Sequence, residues 1–411
     1  MPMHAIFVSD YGHISGGAAQ VAITSARALA DRGVRVTFAC ALGPISAELD
    51  HAGITVHCLE ASNVWSVRRR WQAAAHGLWN AAAGRWLKGL LRDCDPRDTV
   101  IHIHQWTKAF SPSVLAAAAT SGLPVVVSLH DYFLSCPNGA YFMFPQQRPC
   151  TLRPMSMGCV VADCDSRSRG HKVVRLLRQA VTGAAMHGRT RPLNVIHVSR
   201  RAADVARPML PASTRHWVLL NPVTAPPGER VTAERNRAVV CVGRITVEKG
   251  CVVLARAAAL AGVPLVVMGE GPALEQMRHA CPDMEVRPWG DQAAVEHCFS
   301  QARVLALPSL WYETGGLVVQ EGLARGVPAI VSTISGAAEV VGDACGLRVP
   351  PGDVEALAAA LRTLDDDALV QRMSENAYRA MREGPQRPGA HADGLLAIYQ
   401  TLVAGHAMHA A

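Results

Sequence analysis

Two cations and two carboxylates, in a fixed order along the chain, are the residues whose types and spacing best suit chemistry. Arg244 and Lys249 lie in Val242-Gly243-Arg244-Ile245-Thr246-Val247-Glu248-Lys249-Gly250, the arginine just after a β-branched run and the lysine just before a helical one. A planar guanidinium and a point-charge ammonium, at a strand end beside a helix start, suit a diphosphate. Lys249 is one of four lysines, with Lys88, Lys108 and Lys172, in a chain whose other cations are arginines. Glu313 and Glu321 follow, eight residues apart. That interval is a little over two helical turns and lets two carboxylates share one face. Gly315 and Gly316 between them place Glu313 before the helix and Glu321 within it. Two acids at this spacing are common; their order after Arg244 and Lys249 is the specific feature.

Three glycine-bearing turns accompany them. An N-terminal β-run ends at Ser9-Asp10, and the chain passes through Gly16-Gly17 into a helical stretch. Glycines there let backbone approach a ligand, and a helix N-terminus favours an anion; a plain strand–helix turn explains them equally well. The spacing is not the G-x-G-x-x-G of a dinucleotide site. Gly269-Glu270-Gly271-Pro272 is a second tight turn, and Ser335-Gly336-Ala337-Ala338-Glu339 a third.

The elements that must position these residues follow one rhythm. Short β-branched runs (His4–Ser9, Val34–Ala39, Val100–His104, Val125–His130, Asn194–Val198) alternate with alanine- and leucine-rich helical stretches such as Ala18–Arg32. The rhythm restarts at Ala238–Val242 and continues through Cys251–Ala261, Pro264–Met268, Ala273–Ala280, Val304–Leu307 and Pro328–Ser332. This predicts an α/β protein with parallel sheets covered by helices on both faces. Asn221-Pro222-Val223-Thr224-Ala225-Pro226-Pro227-Gly228 continues neither a helix nor a central strand and reads as a linker. Two domains are expected, 1–223 and 229–384, with a cysteine-rich insertion at about 136–170 in the first. A last helical segment, 385–411, returns to the first domain.

Composition narrows the function classes. Half of the 411 residues are hydrophobic and 18% charged, enough for large buried cores and too apolar for a disordered chain. A net charge of +7 falls short of a dedicated nucleic-acid binder, so no nucleic-acid partner is expected. No basic-then-apolar leader and no run of ~18 apolar residues is apparent, so a cytoplasmic protein without a transmembrane helix is expected.

Two local clusters stand apart from the glycine-turn series. Cys136, Cys150, Cys159 and Cys164 fall within 29 positions of a proline-rich stretch. Four thiolates around a structural zinc would rigidify such a loop; ordinary thiols and an iron–sulfur cluster are the alternatives. The segment 65–92 holds Trp65, Trp71, Trp79 and Trp86 with Arg68, Arg69, Arg70, Arg85, Lys88 and Arg92, and no acid. It suits an anionic membrane surface, and equally a helix with tryptophans on a core and arginines in solvent. Asp163-Cys164-Asp165 and Asp365-Asp366-Asp367 mimic divalent-cation motifs, but neither follows a core strand, and both read as chance.

Taken together, the Gly16-Gly17 loop, His130-Asp131 at a strand end, Asn221, Gly243-Arg244…Lys249-Gly250, Gly269-Glu270-Gly271-Pro272, Glu313…Glu321 and Gly336…Glu339 resemble the group-1 (family 4) retaining, nucleotide-sugar-dependent glycosyltransferases of the GT-B fold. The resemblance covers most of the chain in the right order. It departs at Glu313-Thr314-Gly315-Gly316, where the family usually has Glu-Gly-Phe-Gly, and at Asn221-Pro222, where it often has Asn-Gly-Val.

The resemblance implies two Rossmann-like parallel-sheet domains facing across a cleft. It implies a nucleotide-diphosphate sugar held mostly on the second domain, in a site that includes Gly243, Gly269, Thr314, Gly315, Gly316 and Leu317. Arg244 and Lys249 would neutralise the leaving pyrophosphate, with backbone help from Gly16 and Gly17. Glu321 would bind the ribose, Glu313 a sugar hydroxyl, and His130 the sugar from across the cleft. The anomeric configuration would be kept, with the leaving phosphate taking the acceptor's proton and no catalytic metal. The acceptor would be a glycan or a lipid-linked sugar, which fits a peripheral place on the inner membrane face. A nucleotide-sugar 2-epimerase of the same fold, and a silent sugar-nucleotide or membrane-binding scaffold, are the alternatives.

Overall fold

The computed structural model describes residues 3–61, 70–186 and 192–410. In chain order its strands are β1 (His4–Tyr11), β2 (Arg35–Leu42), β3 (Ile54–Cys58), β4 (Thr99–Ile103), β5 (Val125–Leu129), β6 (Phe142–Met143), β7 (Arg148–Pro149), β8 (Asn194–His197) and β9 (Arg215–Val218), followed by β10 (Ala238–Val242), β11 (Leu265–Met268), β12 (Glu285–Arg287), β13 (Ala302–Leu307), β14 (Ala329–Ser332) and β15 (Gly346–Val349). The first sheet has the order β3-β2-β1-β4-β5-β8-β9 and the second β12-β11-β10-β13-β14-β15. Neighbours in both are parallel, while β6 and β7 form a separate antiparallel ribbon. These are two parallel-sheet α/β domains, the GT-B architecture expected from the sequence.

Strands covered on both faces read as continuous apolar runs. Every residue of β4 and β5 is accordingly buried. Alternate side chains serve two cores. Ile6 and Val8 of β1 pack with Leu87 and Leu91 and with Val114 and Leu115, while Ala5 and Phe7 pack with Ile23 and Leu29 on the other face. In the second sheet Val239 and Cys241 face Leu254 and Leu357; Val240 and Val242 face Phe299 and Leu323.

In each sheet the chain reverses its direction of growth beside the first strand, β1 between β2 and β4, and β10 between β11 and β13. Ligands of open parallel sheets bind in the crevice at such points, beyond the carboxyl ends of the strands. Gly16, Gly17, His130, Arg244, Lys249, Gly269 and Glu313 all follow carboxyl ends in this way.

The Pro388–Ala410 helix lies against the Gly17–Ala30 helix of the first domain, where Ala392, Leu395, Ile398, Tyr399 and Leu402 join the core of Phe7 and Phe38. Leu395 is 1% exposed. Leu395→Ala is therefore expected to cost about 2–5 kcal/mol of unfolding free energy, read from urea denaturation, whereas truncating the exposed Gln400 leaves the midpoint unchanged.

Candidate active site

The loops at the strand ends of the second sheet are built by close backbone approach. Gly250 has φ +73°, and a Cβ there would lie 1.9 Å from the Pro308 carbonyl oxygen, so only glycine lets the turn after β10 press on the turn after β13. The Leu310 amide completes the join by donating to the Glu248 carbonyl. This brings Lys249 to Glu313: Nζ is 3.3 Å from Oε2. The same oxygen accepts from Ser309 Oγ and from Trp311 Nε1, each at 3.2 Å. Arg244 stands exposed one residue past Gly243. Gly269 and Gly243 touch backbone to backbone.

From Glu313 the chain crosses to the first domain. Thr314 Oγ1 donates to the His130 carbonyl at 2.9 Å, and the Thr314 carbonyl accepts from Ser199 Oγ at 2.6 Å. Gly315 lies against Asn221 and Val198. Gly316 takes a left-handed φ of +58° as the N-cap of the Leu317–Ala324 helix. Leu317 meets Gly17, whose neighbour Gly16 caps the Gly17–Ala30 helix. Glu321 accepts a 2.7 Å hydrogen bond from Gln20 on that helix, and burial pushes its carboxyl above the usual range against the pull of this bond. Glu339 accepts from the amides of Arg200 and Arg201 at 3.0 and 2.5 Å, satisfying two free N–H groups at a helix start. Each of these bonds joins segments that follow strand carboxyl ends, so the two sheets present those ends to each other across the cleft.

On the first domain His130 follows β5, and its Nε2 is 2.9 Å from His104 Nδ1. Burial, helped by nearby His391, holds the His130 imidazole down to about 3, so it is neutral at physiological pH. Behind it, His102 joins Ser128 Oγ at 2.7 Å and the Tyr399 hydroxyl at 2.6 Å. Asp10, at the end of β1, accepts from the amides of Lys108, Ala109 and Phe110 and so fixes the loop after β4. Burial raises Asp131 from 3.8 to about 6, opposed by the Phe133 amide and by Arg178 and Lys108.

The structure thus brings Lys249, Glu313, Thr314, Gly315 and His130 into one continuous contact, and Glu321, Leu317, Gly16 and Gly17 into a second. Arg244 makes no ion pair among the described residues. Gln20, His104, Asp10 and Ser199 were not singled out by sequence reasoning. The His102-x-His104 pair at a strand end and the Asp10 that closes β1 were visible signals. Gln20 and Ser199 carried none, because only the other domain gives them a partner.

The cysteine-rich insertion packs over the same loops. Ala140 and Phe142 contact Leu310, with Phe144, Val247, Val253 and Trp311 around them. All four cysteines are free thiols. Among the described residues no three His, Cys, Asp or Glu side chains are arranged to hold a metal ion. A lysine ammonium lies against one of the sulfurs instead. Acids of both D-x-D strings serve the local structure. Asp165 pairs with Arg175, Asp367 with Arg303, and Asp366 caps a helix.

Of the tryptophan-rich segment, Trp65, Arg68 and Arg69, and the side chain of Arg70, lie outside the described residues. Trp86 packs on Phe110 in the core, whereas Trp71 and Trp79 are 65% and 47% exposed. No described helix is long and apolar enough to cross a membrane.

Residues 15–157 match the family model described as Glycosyltransferase Family 4, and residues 236–367 that described as Glycosyl transferases group 1, together about two thirds of the chain. The chain belongs to the group 1, family 4 glycosyltransferases. It is similar to O-antigen chain mannosyltransferase B of Escherichia coli, 41% identical over 73 residues, which are 18% of this chain and 19% of that protein. The chain spans less than a fifth of the length of the first curated relatives it matches. Among solved structures, sucrose-phosphate synthase from Thermosynechococcus elongatus superposes with a TM-score of 0.69 over 98% of this chain and 100% of that one, at 19% identity. Anabaena HepE, solved in complex with UDP and glucose, superposes at 0.63 over 97% and 100%, at 16% identity. These two likenesses establish the fold.

Asp131 offers a pH test of the cleft wall. Its folded pKa exceeds its unfolded one, so the fold holds a proton that the unfolded chain releases, and stability falls as pH rises between about 4 and 6. Asp131→Asn keeps the acceptor for the Phe133 amide and removes the titration. Its stability advantage over the wild type, from urea unfolding, is expected to grow across that window and level off above it; parallel profiles would contradict the assignment.

Proposed function

We propose that the chain is a retaining hexosyltransferase that moves a sugar from a nucleoside diphosphate donor to a glycan or lipid-linked acceptor, in bacterial-type polysaccharide or glycolipid synthesis. The observation that carries this reading is the Glu313 carboxylate. Its Oε2 is held by Lys249, Ser309 and Trp311, while its backbone neighbour Thr314 is bonded to His130 of the opposite domain. Oε1 takes no hydrogen bond from the described residues and faces the role of receiving a sugar hydroxyl. Lys249 and Arg244 meet the charge that develops on the pyrophosphate, a preorganised stabilisation that needs no reorganisation at the moment of reaction. The neutral His130, its Nε2 engaged by His104, serves the sugar as a hydrogen-bonding partner rather than as a cation.

Retention follows if the acceptor hydroxyl attacks from the side that the pyrophosphate leaves. The departing phosphate oxygen then takes the acceptor's proton, and no protein carboxylate is needed as a nucleophile, unlike in retaining glycosidases. The UDP bound in the HepE structures supports the choice of a nucleotide sugar. The two cations already present supply the clamp, so transfer is proposed to be metal-independent. We propose that the acceptor lies at the anionic inner face of the membrane; the exposure of Trp71 and Trp79, with Arg85, Lys88 and Arg92, supports this.

Incubation with labelled UDP-, GDP- and ADP-sugars, with and without a membrane extract, tests the reading. Transfer with the donor's anomeric configuration, unaffected by EDTA, is the expected result. Inverted product, epimerised donor or binding without transfer would overturn it. Lys249→Ala is expected to slow transfer by ~10²–10³. Glu313→Gln is expected to impair transfer while leaving the affinity for the bare nucleoside diphosphate nearly intact.

A further inference from the structure

Lys172 is buried, 4% exposed, on the first turn of the Arg169–Met186 helix. A buried ammonium ordinarily requires an anionic partner. Its hydrogen-bonding partner here is a sulfur: Nζ lies 2.8 Å from Sγ of Cys164, itself 6% exposed. The adjacent Asp165 carboxylate is engaged by Arg175. This sulfur contact is shorter than those of Cys136 at 3.1 Å, Cys94 at 3.5 Å and Cys40 at 3.7 Å. Burial works to lower the pKa of Lys172, but the bond to Cys164 and the nearby Cys159 and Cys136 outweigh it and raise it. Nitrogen and sulfur are thus held together beside further thiols, those of Cys159 and Cys136.

We propose that Lys172 and Cys164 are a modification site, at which dioxygen inserts one oxygen atom to form an N–O–S bridge between Nζ and Sγ. The pair and dioxygen give Cys–S–O–NH–Lys and one water. Among them, sulfur and nitrogen carry three protons; two leave with the second oxygen atom as water and the third stays on nitrogen. The O–O bond breaks, and an S–O and an N–O bond form. Sulfur and nitrogen each lose two electrons, and these four electrons reduce the dioxygen. Dioxygen is small and apolar enough to reach a buried pair. Two equivalents of a dithiol supply the four electrons and four protons that return thiol, amine and water.

The bridge lies where it would matter to the cleft. The Asn138 side-chain amide donates to the Cys164 carbonyl at 3.0 Å and to the Phe142 carbonyl at 2.8 Å. Phe142 in turn packs on Leu310, beside the loops that carry Lys249 and Glu313. Covalent closure of Lys172 to Cys164 ties the helix to the insertion and stiffens this cover over the donor loops. The cross-link itself does not depend on the sugar-transfer reading.

The test is mass spectrometry of the full chain, either exposed to air-saturated buffer or kept anaerobic under dithiothreitol. The oxidised protein is expected to gain one oxygen and lose two hydrogens. The change should reverse with dithiothreitol and map to peptides joining Cys164 to Lys172. Cys164→Ser and Lys172→Arg should each abolish it, and the wild-type map is decisive even if a variant fails to fold. Three results would overturn the proposal: an unchanged mass in air; a loss of two hydrogens without oxygen, which marks a disulfide among Cys136, Cys150, Cys159 and Cys164; or stoichiometric zinc that protects the thiols.

Discussion

The ion pair between Lys249 and Glu313 is the constraint on which the rest of the cleft depends. The two side chains are only 16% and 12% exposed, so each charge has lost much of its hydration. Such a pair is sustained only when further hydrogen bonds complete it, and removing one partner leaves an uncompensated charge. Ser309 and Trp311 supply that completion at Glu313 Oε2. The pair also joins two loops that leave different strands of the second sheet. Lys249 therefore keeps its place at the strand ends through Glu313, and Glu313 keeps its backbone in register with the segment that crosses to the first domain.

That segment makes the cleft a closed one. Thr314 is bonded to His130 and Ser199, Glu321 to Gln20, and Glu339 to the amides of Arg200 and Arg201. A closed cleft keeps water from an activated sugar and strengthens every charge interaction inside it. Within it the Glu321 carboxylate is already bonded to Gln20. In the proposed reading a ribose reaching this carboxylate would share it with Gln20 or displace that amide, so donor binding and domain closure would draw on the same group.

Much of this was legible in the sequence. The repeated β-branched runs placed the two sheets, and the glycine turns around Arg244, Lys249 and Glu313 pointed to loops that the structure brings together at strand ends, because local periodicity and turn glycines carry that information. Contacts made by the partner domain were not legible. Gln20 is an ordinary polar residue on an amphipathic helix until Glu321 arrives opposite it, and Ser199 reads only as a helix cap. The insertion shows the same limit: four cysteines within 29 positions suggested a metal, while the ammonium of Lys172, eight residues beyond the last of them and set against Cys164, carried no signal in the sequence. Of the described tryptophans, Trp86 turns inward on Phe110, while Trp71 and Trp79 are exposed.

The pyrophosphate clamp proposed at Arg244 and Lys249 is tested most directly by calorimetric titration of a nucleoside diphosphate against the corresponding monophosphate. The shared nucleoside cancels, so the difference reports the second phosphate alone. One added pair of charge-assisted hydrogen bonds is expected to make the diphosphate bind roughly tenfold or more tightly, with the advantage shrinking as salt screens the exposed Arg244. Equal affinity for the two nucleotides at low salt would contradict the clamp.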